Sequence, residues 1–200
     1  MIRWLVCDYG EVISTSPPRD CARALAVLAR QDVDDFQRRY WRTRLDYDLG
    51  QAPTEYWASV LGRDLAGEPE LVVRLTRIDV LGWLHLNALT LRTLTNHVRD
   101  AGTQLALLSN APEPLAAAID GAHWSRHFKR RFYSCRVHLA KPDPPIFETV
   151  LRHLEVASEE VLFIDDRDEN TLAARHLGWR TITFSSATAL ARELHCLGSI

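Results

Sequence analysis

The chain has 200 residues, 46% of them hydrophobic, which is ample for one generous domain or for a domain with a smaller insertion. Its net charge of −2 argues against a general nucleic-acid binder, which would carry a basic excess on one face. The sequence contains no apolar window of about 18 residues that would predict a membrane span, and no signal-peptide layout at its start. We therefore expect a cytoplasmic protein without nucleic-acid or membrane partners.

The four cysteines are scattered along the chain, and they include no C-x-x-C pair. This usage is typical of reduced thiols rather than of a disulfide framework. Cys7 and Cys135 are predicted to lie in the core.

The first predicted strand is the apolar run at residues 2–7, which leads directly into Asp8. The chain then shows only helical patterns over residues 15–85. These patterns lie at 19–30, 33–43, 54–61 and 70–78. Because an ordinary crossover between parallel strands needs only a dozen or so residues, we predict an inserted all-helical cap over 15–85. The core would then comprise residues 1–14 and 86–200.

Strand and helix patterns alternate in the rest of the chain. Four further strands are predicted, at residues 104–109, 131–134, 161–164 and 180–184. The helical patterns between them lie at 89–100, 146–154 and 170–177. The runs LALLS and VLFI are continuously apolar, as in strands covered on both faces. The alternation predicts an α/β fold with a Rossmann-like, mainly parallel five-stranded sheet.

Polar side chains follow the predicted strands where a ligand is expected. In an open parallel sheet, ligands bind outside the carboxyl ends of the strands, where the strand order reverses. The residues at these ends are Asp8, Ser109, Asn110, Lys141, Asp165, Asp166 and Asn170. Converging carboxylates need a cation, and an all-oxygen ligand set suits Mg²⁺. A lysine and a hydroxyl suit phosphate oxygens, and an ionised aspartate can attack phosphorus to form an aspartyl-phosphate.

Two groups of cap residues have an open interpretation. Five aromatic residues could line a substrate pocket, but their helical spacing predicts that most of them form the core of the cap. They are Tyr40, Trp41, Tyr47, Tyr56 and Trp57. Arg42 and Arg44 could meet an anionic substrate, although a solvated helix face is the default expectation for them.

Four segments, in this order, resemble the motifs of the haloacid dehalogenase superfamily of hydrolases. They read LVCDYGEV, LALLSN, KPDPPIF and VLFIDDRDENTLAARHLG. The stretch YDLGQAPTEYW resembles the helical cap that many members insert after the first motif. The resemblance covers nearly the whole chain and implies the phosphatase branch with a helical cap, whose members are Mg²⁺-dependent and use an aspartyl-phosphate.

The resemblance also implies roles for individual residues. Asp8 matches the nucleophile and a metal ligand, and Asp165 and Asp166 match the acidic pair of which at least one binds Mg²⁺. Ser109 and Lys141 match the phosphate-binding hydroxyl and the catalytic amine. Two further residues are assigned beside them: Asn110 is expected to assist Ser109, and Asn170 to stabilise a loop or helix start rather than to bind metal.

The sequence departs from this pattern at Gly10. Most of the similar phosphatases carry an aspartate there, whose side chain protonates the leaving group and whose carbonyl binds the metal. Gly10 keeps the carbonyl as a metal ligand but lacks the acid, and general acid–base assistance is typically worth about 10²–10⁴ in rate. Glu11, the next residue, is a candidate replacement acid, against the simpler expectation of a solvent-facing turn residue.

These features predict a Mg²⁺-dependent phosphatase of a small phosphorylated metabolite, of the sugar-phosphate type assigned to members with an Asp-x-Gly motif. One alternative is a non-catalytic protein that still binds the phosphorylated metabolite but has lost turnover with the acid. A second is a 2-haloacid dehalogenase, which the adjacent pair Asp165 and Asp166 disfavours. A monomer or a homodimer is expected.

Overall fold

The computed structural model describes residues 1–197 as five β-strands, eleven α-helices and two 3₁₀ helices. The strands are β1 (Trp4–Cys7), β2 (Gln104–Ser109), β3 (Arg130–Tyr133), β4 (Val161–Asp165) and β5 (Arg180–Thr183). The first helices are α1 (Arg19–Ala29), α2 (Val33–Arg42), α3 (Arg44–Asp48), α4 (Pro53–Leu61), α5 (Pro69–Trp83) and α6 (Ala88–Ala101). The later ones are α7 (Glu113–Gly121), α8 (Ser134–Val137), α9 (Pro144–Leu154), α10 (Asp168–His176) and α11 (Ala187–Leu197). The 3₁₀ helices are His123–His127 and Ser158–Glu160.

The five strands form one parallel sheet in the order β3-β2-β1-β4-β5. β1 lies in the centre, and Trp4 is in register with Gln104 of β2 on one side and with Val161 of β4 on the other. The predicted fold class and all five predicted strands are confirmed, with bounds that differ by at most two residues. The central position of β1 brings the residue after it next to the ends of β2 and β4.

Each face of the sheet is covered by its own apolar cluster, because neighbouring residues of a strand point to opposite faces. Leu5 and Cys7 of β1 pack in the cluster that includes α6, α7 and α11, whereas Trp4 and Val6 pack in the cluster with α9 and α10. Cys7 and Cys135 are buried, as predicted, and both are free thiols. Among residues 1–197, no helix has the length and apolar character needed to cross a membrane.

Helices α1–α5 pack around a separate apolar cluster of their own. Four of the five predicted aromatic residues are buried in it, and the rings of Tyr47 and Tyr56 stack with centroids 4.0 Å apart. Trp41 is the exception, since 56% of it is exposed. α3 was not predicted from the sequence, because five residues are too few to show a helical period.

The two chain segments that join the helical block to the sheet pair with each other. Ser14 and Leu86 form an antiparallel bridge. The Thr15 N–H donates to the His85 carbonyl at 2.7 Å, and the Asn87 N–H donates to the Ile13 carbonyl at 2.8 Å. We propose that the boundaries between core and cap lie at this bridge.

Candidate active site

The carboxyl ends of β1, β2 and β4 meet at one edge of the sheet. Asp8 directly follows β1, Ser109 is the last residue of β2, and Asp165 is the last residue of β4. Lys141 reaches the same place from the loop before α9. These residues lie at or beside a pocket of about 670 Å³. The pocket separates the sheet from the helical block α1–α5, which we call the cap.

A buried lysine connects two of the carboxylates. Lys141 Nζ lies 2.8 Å from Asp8 Oδ1 and 2.6 Å from Asp165 Oδ2, and only 4% of the residue is exposed. Burial alone would lower the pKa of Lys141, but the charges of Asp165 and Asp8 raise it above its usual value. The ammonium group therefore stays charged and fixes the orientation of both carboxylates.

Carboxylate oxygens of Asp8, Asp165 and Asp166 lie within 4.8 Å of one another. We call these three residues and Lys141 the floor cluster. The pKa of Asp8 is raised to about 7: burial is the largest cause and the charges of Asp165 and Asp166 add to it, whereas Lys141 acts against it. Burial and the charge of Asp165 also raise the pKa of Asp166. One ammonium does not balance three carboxylates, and the excess negative charge on oxygen ligands fits a divalent cation such as Mg²⁺.

Backbone and side-chain donors hold the two buried carboxylates of the floor cluster in place. Asp8 Oδ1 accepts the N–H of Tyr9 at 2.7 Å. Asp165 Oδ1 accepts the N–H of Arg167 and the Nδ2 of Asn170, each at 2.9 Å. Asn170 is buried in the first turn of α10. Its contact is to a carboxylate, which makes it a positioning residue, in agreement with its expected loop-stabilising role.

Asn110 is bonded to the backbone of the lysine loop. Its Nδ2 donates to the Lys141 carbonyl at 2.8 Å, and its Oδ1 accepts the Lys141 N–H at 2.9 Å. Both polar atoms of the amide thus fix the position of Lys141, a positioning role that the sequence did not indicate. Ser109 is buried next to it and lines the pocket. The assignment of Ser109, Asn110 and Lys141 to phosphate binding stays a prediction.

Gly10 and Glu11 both line the pocket. A Cβ atom built on Gly10 would lie 3.6 Å from Trp83 Cζ3 and 3.9 Å from Asp8 Oδ2, which are ordinary contact distances. Sterics therefore do not exclude a side chain at Gly10. Its carbonyl accepts the N–H of Val12 at 2.7 Å, which leaves one lone pair for the predicted metal contact.

Glu11 has a left-handed backbone, with φ of 56°, and is exposed. Its Oε1 accepts the hydroxyl of Ser16 at 2.7 Å. The charge of Glu11 contributes to raising the pKa of Asp166, which shows that the side chain is within electrostatic range of the floor cluster. Its role as a replacement acid stays a prediction.

A second set of buried charges lies in the cap. Arg44 Nε donates to Asp48 Oδ1 at 2.8 Å, and its Nη1 contacts Asp79 Oδ2 at 3.3 Å and the hydroxyl of Tyr40. Tyr40 in turn donates to Asp79 Oδ1 at 2.6 Å. We call Tyr40, Arg44, Asp48 and Asp79 the cap cluster. The solvated face expected for Arg44 is wrong, because these partners bury it to 6% exposure, whereas Arg42 is exposed as expected.

The cap contacts the core directly beside the pocket. The hydroxyl of Ser134 donates to the Asp48 carbonyl, and His138 Nδ1 lies 2.9 Å from the Leu49 carbonyl. On the other side of the pocket, the hydroxyl of Tyr9 donates to the Trp83 carbonyl at 2.7 Å. These contacts hold the cap against the core on both sides of the pocket.

A family model, the haloacid dehalogenase-like hydrolases, matches residues 15–178. The chain belongs to this family. Membership confirms the resemblance indicated by the four sequence motifs. It also explains why the acidic and basic side chains converge at the carboxyl ends of the sheet, where open α/β sheets bind their ligands.

Two relatives match this chain along nearly its whole length. D-ribitol-5-phosphate phosphatase of Bacteroides thetaiotaomicron is 26% identical over 205 residues, which cover 97% of both chains. Drimenol cyclase of Aspergillus calidoustus is 26% identical over 197 residues, which are 97% of this chain and 36% of the cyclase. The rat bifunctional epoxide hydrolase 2 is 39% identical over 70 residues, or 35% of this chain and 13% of that protein. The chain thus spans about a third or less of several of its curated relatives.

Solved structures of similar proteins share the fold. A haloacid dehalogenase family enzyme of Bacteroides thetaiotaomicron, in complex with magnesium and inorganic phosphate, has a TM-score of 0.74 at 20% identity and covers 92% of this chain and 95% of its own. The L-2-haloacid dehalogenase of Xanthobacter autotrophicus, with chloropropionic acid covalently bound, has a TM-score of 0.67 at 21% identity. The match covers 98% of this chain and 83% of the dehalogenase.

Proposed function

We propose that this hydrolase is a Mg²⁺-dependent phosphatase of a small phosphorylated metabolite, acting through an aspartyl-phosphate on Asp8. The observation that carries the proposal is the floor cluster, in which three carboxylates and one buried ammonium lie together at or beside the pocket. Three carboxylates outnumber the one ammonium of the floor cluster, so an anionic substrate requires a cation to be bound beside it. The relative named as a D-ribitol-5-phosphate phosphatase supports this reaction class.

The metal ligands we propose are Asp8, Asp165, Asp166 and the carbonyl of Gly10. Their oxygen-only donor set fits Mg²⁺. When bound there, Mg²⁺ supplies positive charge that offsets the repulsion between the nucleophile and the phosphate. Asn170 and the backbone of Arg167 hold the Asp165 carboxylate through Oδ1, whereas Lys141 contacts Oδ2.

The first step is attack of an Asp8 carboxylate oxygen on phosphorus. A new oxygen–phosphorus bond forms as the bond from phosphorus to the leaving oxygen breaks, and the leaving oxygen keeps the electron pair. Lys141 binds phosphate oxygens and keeps Asp8 oriented, and the Ser109 hydroxyl donates to a further phosphate oxygen. Water then attacks the phosphorus of the aspartyl-phosphate, which releases phosphate and restores the Asp8 carboxylate.

For alkyl phosphates, whose leaving oxygen needs a proton, we propose Glu11 as the donor in place of the aspartate that Gly10 replaces. Replacement of Glu11 by Gln should reduce turnover of alkyl phosphates at least tenfold if the carboxyl group donates this proton. Because Ser16 also contacts Glu11, a Ser16→Ala variant is the control for loss of the loop contact alone. Equal turnover by wild type and Glu11→Gln would exclude Glu11 as the acid.

The direct test of the proposed function is phosphate release from p-nitrophenyl phosphate, with Mg²⁺ and with EDTA. Wild type should be active only with Mg²⁺, and Asp8→Asn should lose activity by a factor of about 10³ or more, because the amide is no nucleophile. Asp20→Asn, on the exposed surface of α1, is the matched control and should behave as wild type. Activity of Asp8→Asn at the wild-type level would contradict the aspartyl-phosphate.

Gly10 also supports a second candidate, a protein that binds a phosphorylated metabolite without turnover, because it lacks the usual acid. This candidate gains support if wild type and Asp8→Asn are both inactive while both bind phosphate ligands. Dehalogenation of a 2-haloacid, with halide release in the absence of Mg²⁺, is the third candidate. Three carboxylates around one site count against it, since halide departure requires no cation.

A further inference from the structure

The cap covers the pocket with large apolar side chains. Trp41 and Leu45 line it and are 56% and 54% exposed, although both are of a size and type normally buried. Trp83 lies between them and the floor, and its ring meets that of Trp41 edge to face with centroids 6.3 Å apart. Two indole rings and a leucine therefore form an apolar wall opposite the floor cluster.

The polar groups on the cap side of the pocket are engaged with one another. Arg44 binds Asp48 and Asp79, and Trp83 Nε1 donates to the hydroxyl of Tyr40 at 3.2 Å. A substrate with several hydroxyl groups would have to replace its water hydrogen bonds when it binds against this side of the pocket. An apolar substrate group loses nothing by this transfer and gains contact with the indole rings.

The pocket is also apolar near the nucleophile, at Gly10. Gly10 contributes no carboxyl group there, and the ring atom Trp83 Cζ3 lies 3.6 Å from the place that a Cβ atom would take. A leaving oxygen that is poorly basic departs as an anion and does not need a proton donor at this position. Aryl oxygens have this property, because the ring delocalises the charge.

We infer that the substrates of this hydrolase are aryl phosphates, with the aromatic leaving group against Trp41 and Trp83. The inference rests on the proposed phosphatase function and specifies its substrate class, in place of the predicted sugar phosphate. Asp8 forms its bond to phosphorus while the aryl oxygen leaves with the electron pair as a phenolate. The phenolate takes its proton from water outside the pocket.

The first test compares two phosphate esters that have rings of similar size but different leaving groups. Phenyl phosphate and cyclohexyl phosphate have rings of similar size, but only the phenyl oxygen leaves readily without a proton. With Mg²⁺ present, kcat/KM for phenyl phosphate should exceed that for cyclohexyl phosphate, and that for D-ribitol 5-phosphate, by about 100-fold. A ratio below tenfold in either comparison overturns the inference. Inactivity towards all three and towards p-nitrophenyl phosphate overturns the proposed function as well.

The second test addresses the apolar wall. Trp41→Ala should raise KM for 1-naphthyl phosphate about tenfold with kcat nearly unchanged, whereas KM for acetyl phosphate, which has no ring, should stay the same. Val73→Ala is the control, since Val73 is an exposed apolar residue of the cap outside the pocket. An unchanged KM for 1-naphthyl phosphate in Trp41→Ala overturns the contact.

The third test restores the acid. Gly10→Asp has room for its Cβ and should raise turnover of cyclohexyl phosphate at least tenfold, since general acid assistance is typically worth about 10²–10⁴, and change that of phenyl phosphate less than threefold. Gly10→Asn has the same shape without the proton and should give no gain. An equal gain on both substrates overturns the leaving-group argument.

Discussion

The floor cluster and the cap cluster both bury carboxylates with one basic side chain, yet they differ in how far the charges are matched. In the cap, the planar guanidinium of Arg44 meets two carboxylates and a hydroxyl, and Tyr40 donates to one of these carboxylates. On the floor, the single ammonium of Lys141 faces three carboxylates. The fork of an arginine suits a fixed polar network, whereas a lysine is a compact point charge. The cap cluster is built to hold helices together, and the floor cluster retains charge with which to bind a ligand.

The largest expected effect comes from removing the positive charge of Lys141 from the floor cluster. Lys141→Met should reduce phosphatase activity by a factor of about 10³ or more, because it removes both the phosphate contact and the group that orients Asp8. Phosphate release with saturating Mg²⁺ is the measurement. Lys129→Met, which removes the one other lysine of the chain from an exposed position, should be fully active. Comparable activity in the two variants would show that the floor does not need its ammonium.

Removing the positive charge of Arg44 from the cap cluster should lower the free energy of unfolding. Arg44→Met leaves Asp48 and Asp79 buried without their partner, and breaking a buried ion pair in this way costs about 3–5 kcal/mol. For a chain of this size that corresponds to a fall in Tm of roughly 10 °C. Thermal unfolding followed by circular dichroism measures it, with Arg42→Met on the exposed side of α2 as the control. A melting curve like that of wild type would mean that the cap cluster does not stabilise the cap.

The smallest effect concerns the pH dependence of the cap. The pKa of Asp48 is raised to about 6: burial is the largest cause, Arg44 and Lys141 act against it, and Asp79 adds to it. Between about pH 4 and 6 the folded state therefore holds a proton that the unfolded chain lacks. The stability due to this group is lost as the pH rises through that range, by at most about 3 kcal/mol.

Asp48→Asn should therefore flatten the fall in Tm between pH 4.5 and pH 7. The comparison is made in EDTA, so that metal binding is absent from both proteins, and Asp46→Asn on the exposed side of α3 is the control. Titration of Asp8 acts in the same direction in all three proteins and cancels in the comparison. Parallel Tm–pH curves for Asp48→Asn and wild type would contradict the burial of a charged Asp48.

The floor of the site was predictable from sequence because it depends on local signals. Each strand is recognisable in the sequence as an apolar run, and a parallel sheet brings the residues after such runs to one edge. Asp8, Ser109 and Asp165 were placed by this rule alone. What could not be predicted depends on contacts between distant segments. Arg44 is buried because Asp79, 35 positions along the chain, lies against it, and no periodic pattern reports such a partner.

Trp41 and Asn110 show the same limit in two other ways. The prediction treated the aromatic residues of the cap as one group, and the sequence does not report that the side of α2 that carries Trp41 lines a pocket whereas the side that carries Tyr40 is buried. Asn110 follows a strand and was predicted to assist Ser109 in phosphate binding, which stays a prediction, but its contact with the lysine loop was not predicted. Its reciprocal bonds to the backbone of Lys141 depend on a loop 31 positions away.

The bridge between Ser14 and Leu86 has an evolutionary consequence. Paired residues of antiparallel strands have their Cα atoms only about 5 Å apart, so the chain leaves the sheet and returns to it at nearly the same point. Any insertion whose two ends lie that close can occupy this place without disturbing the strands. The catalytic floor can thus stay constant while the block above it is exchanged or shortened, which allows one sheet to acquire new substrates by recombination rather than by gradual change.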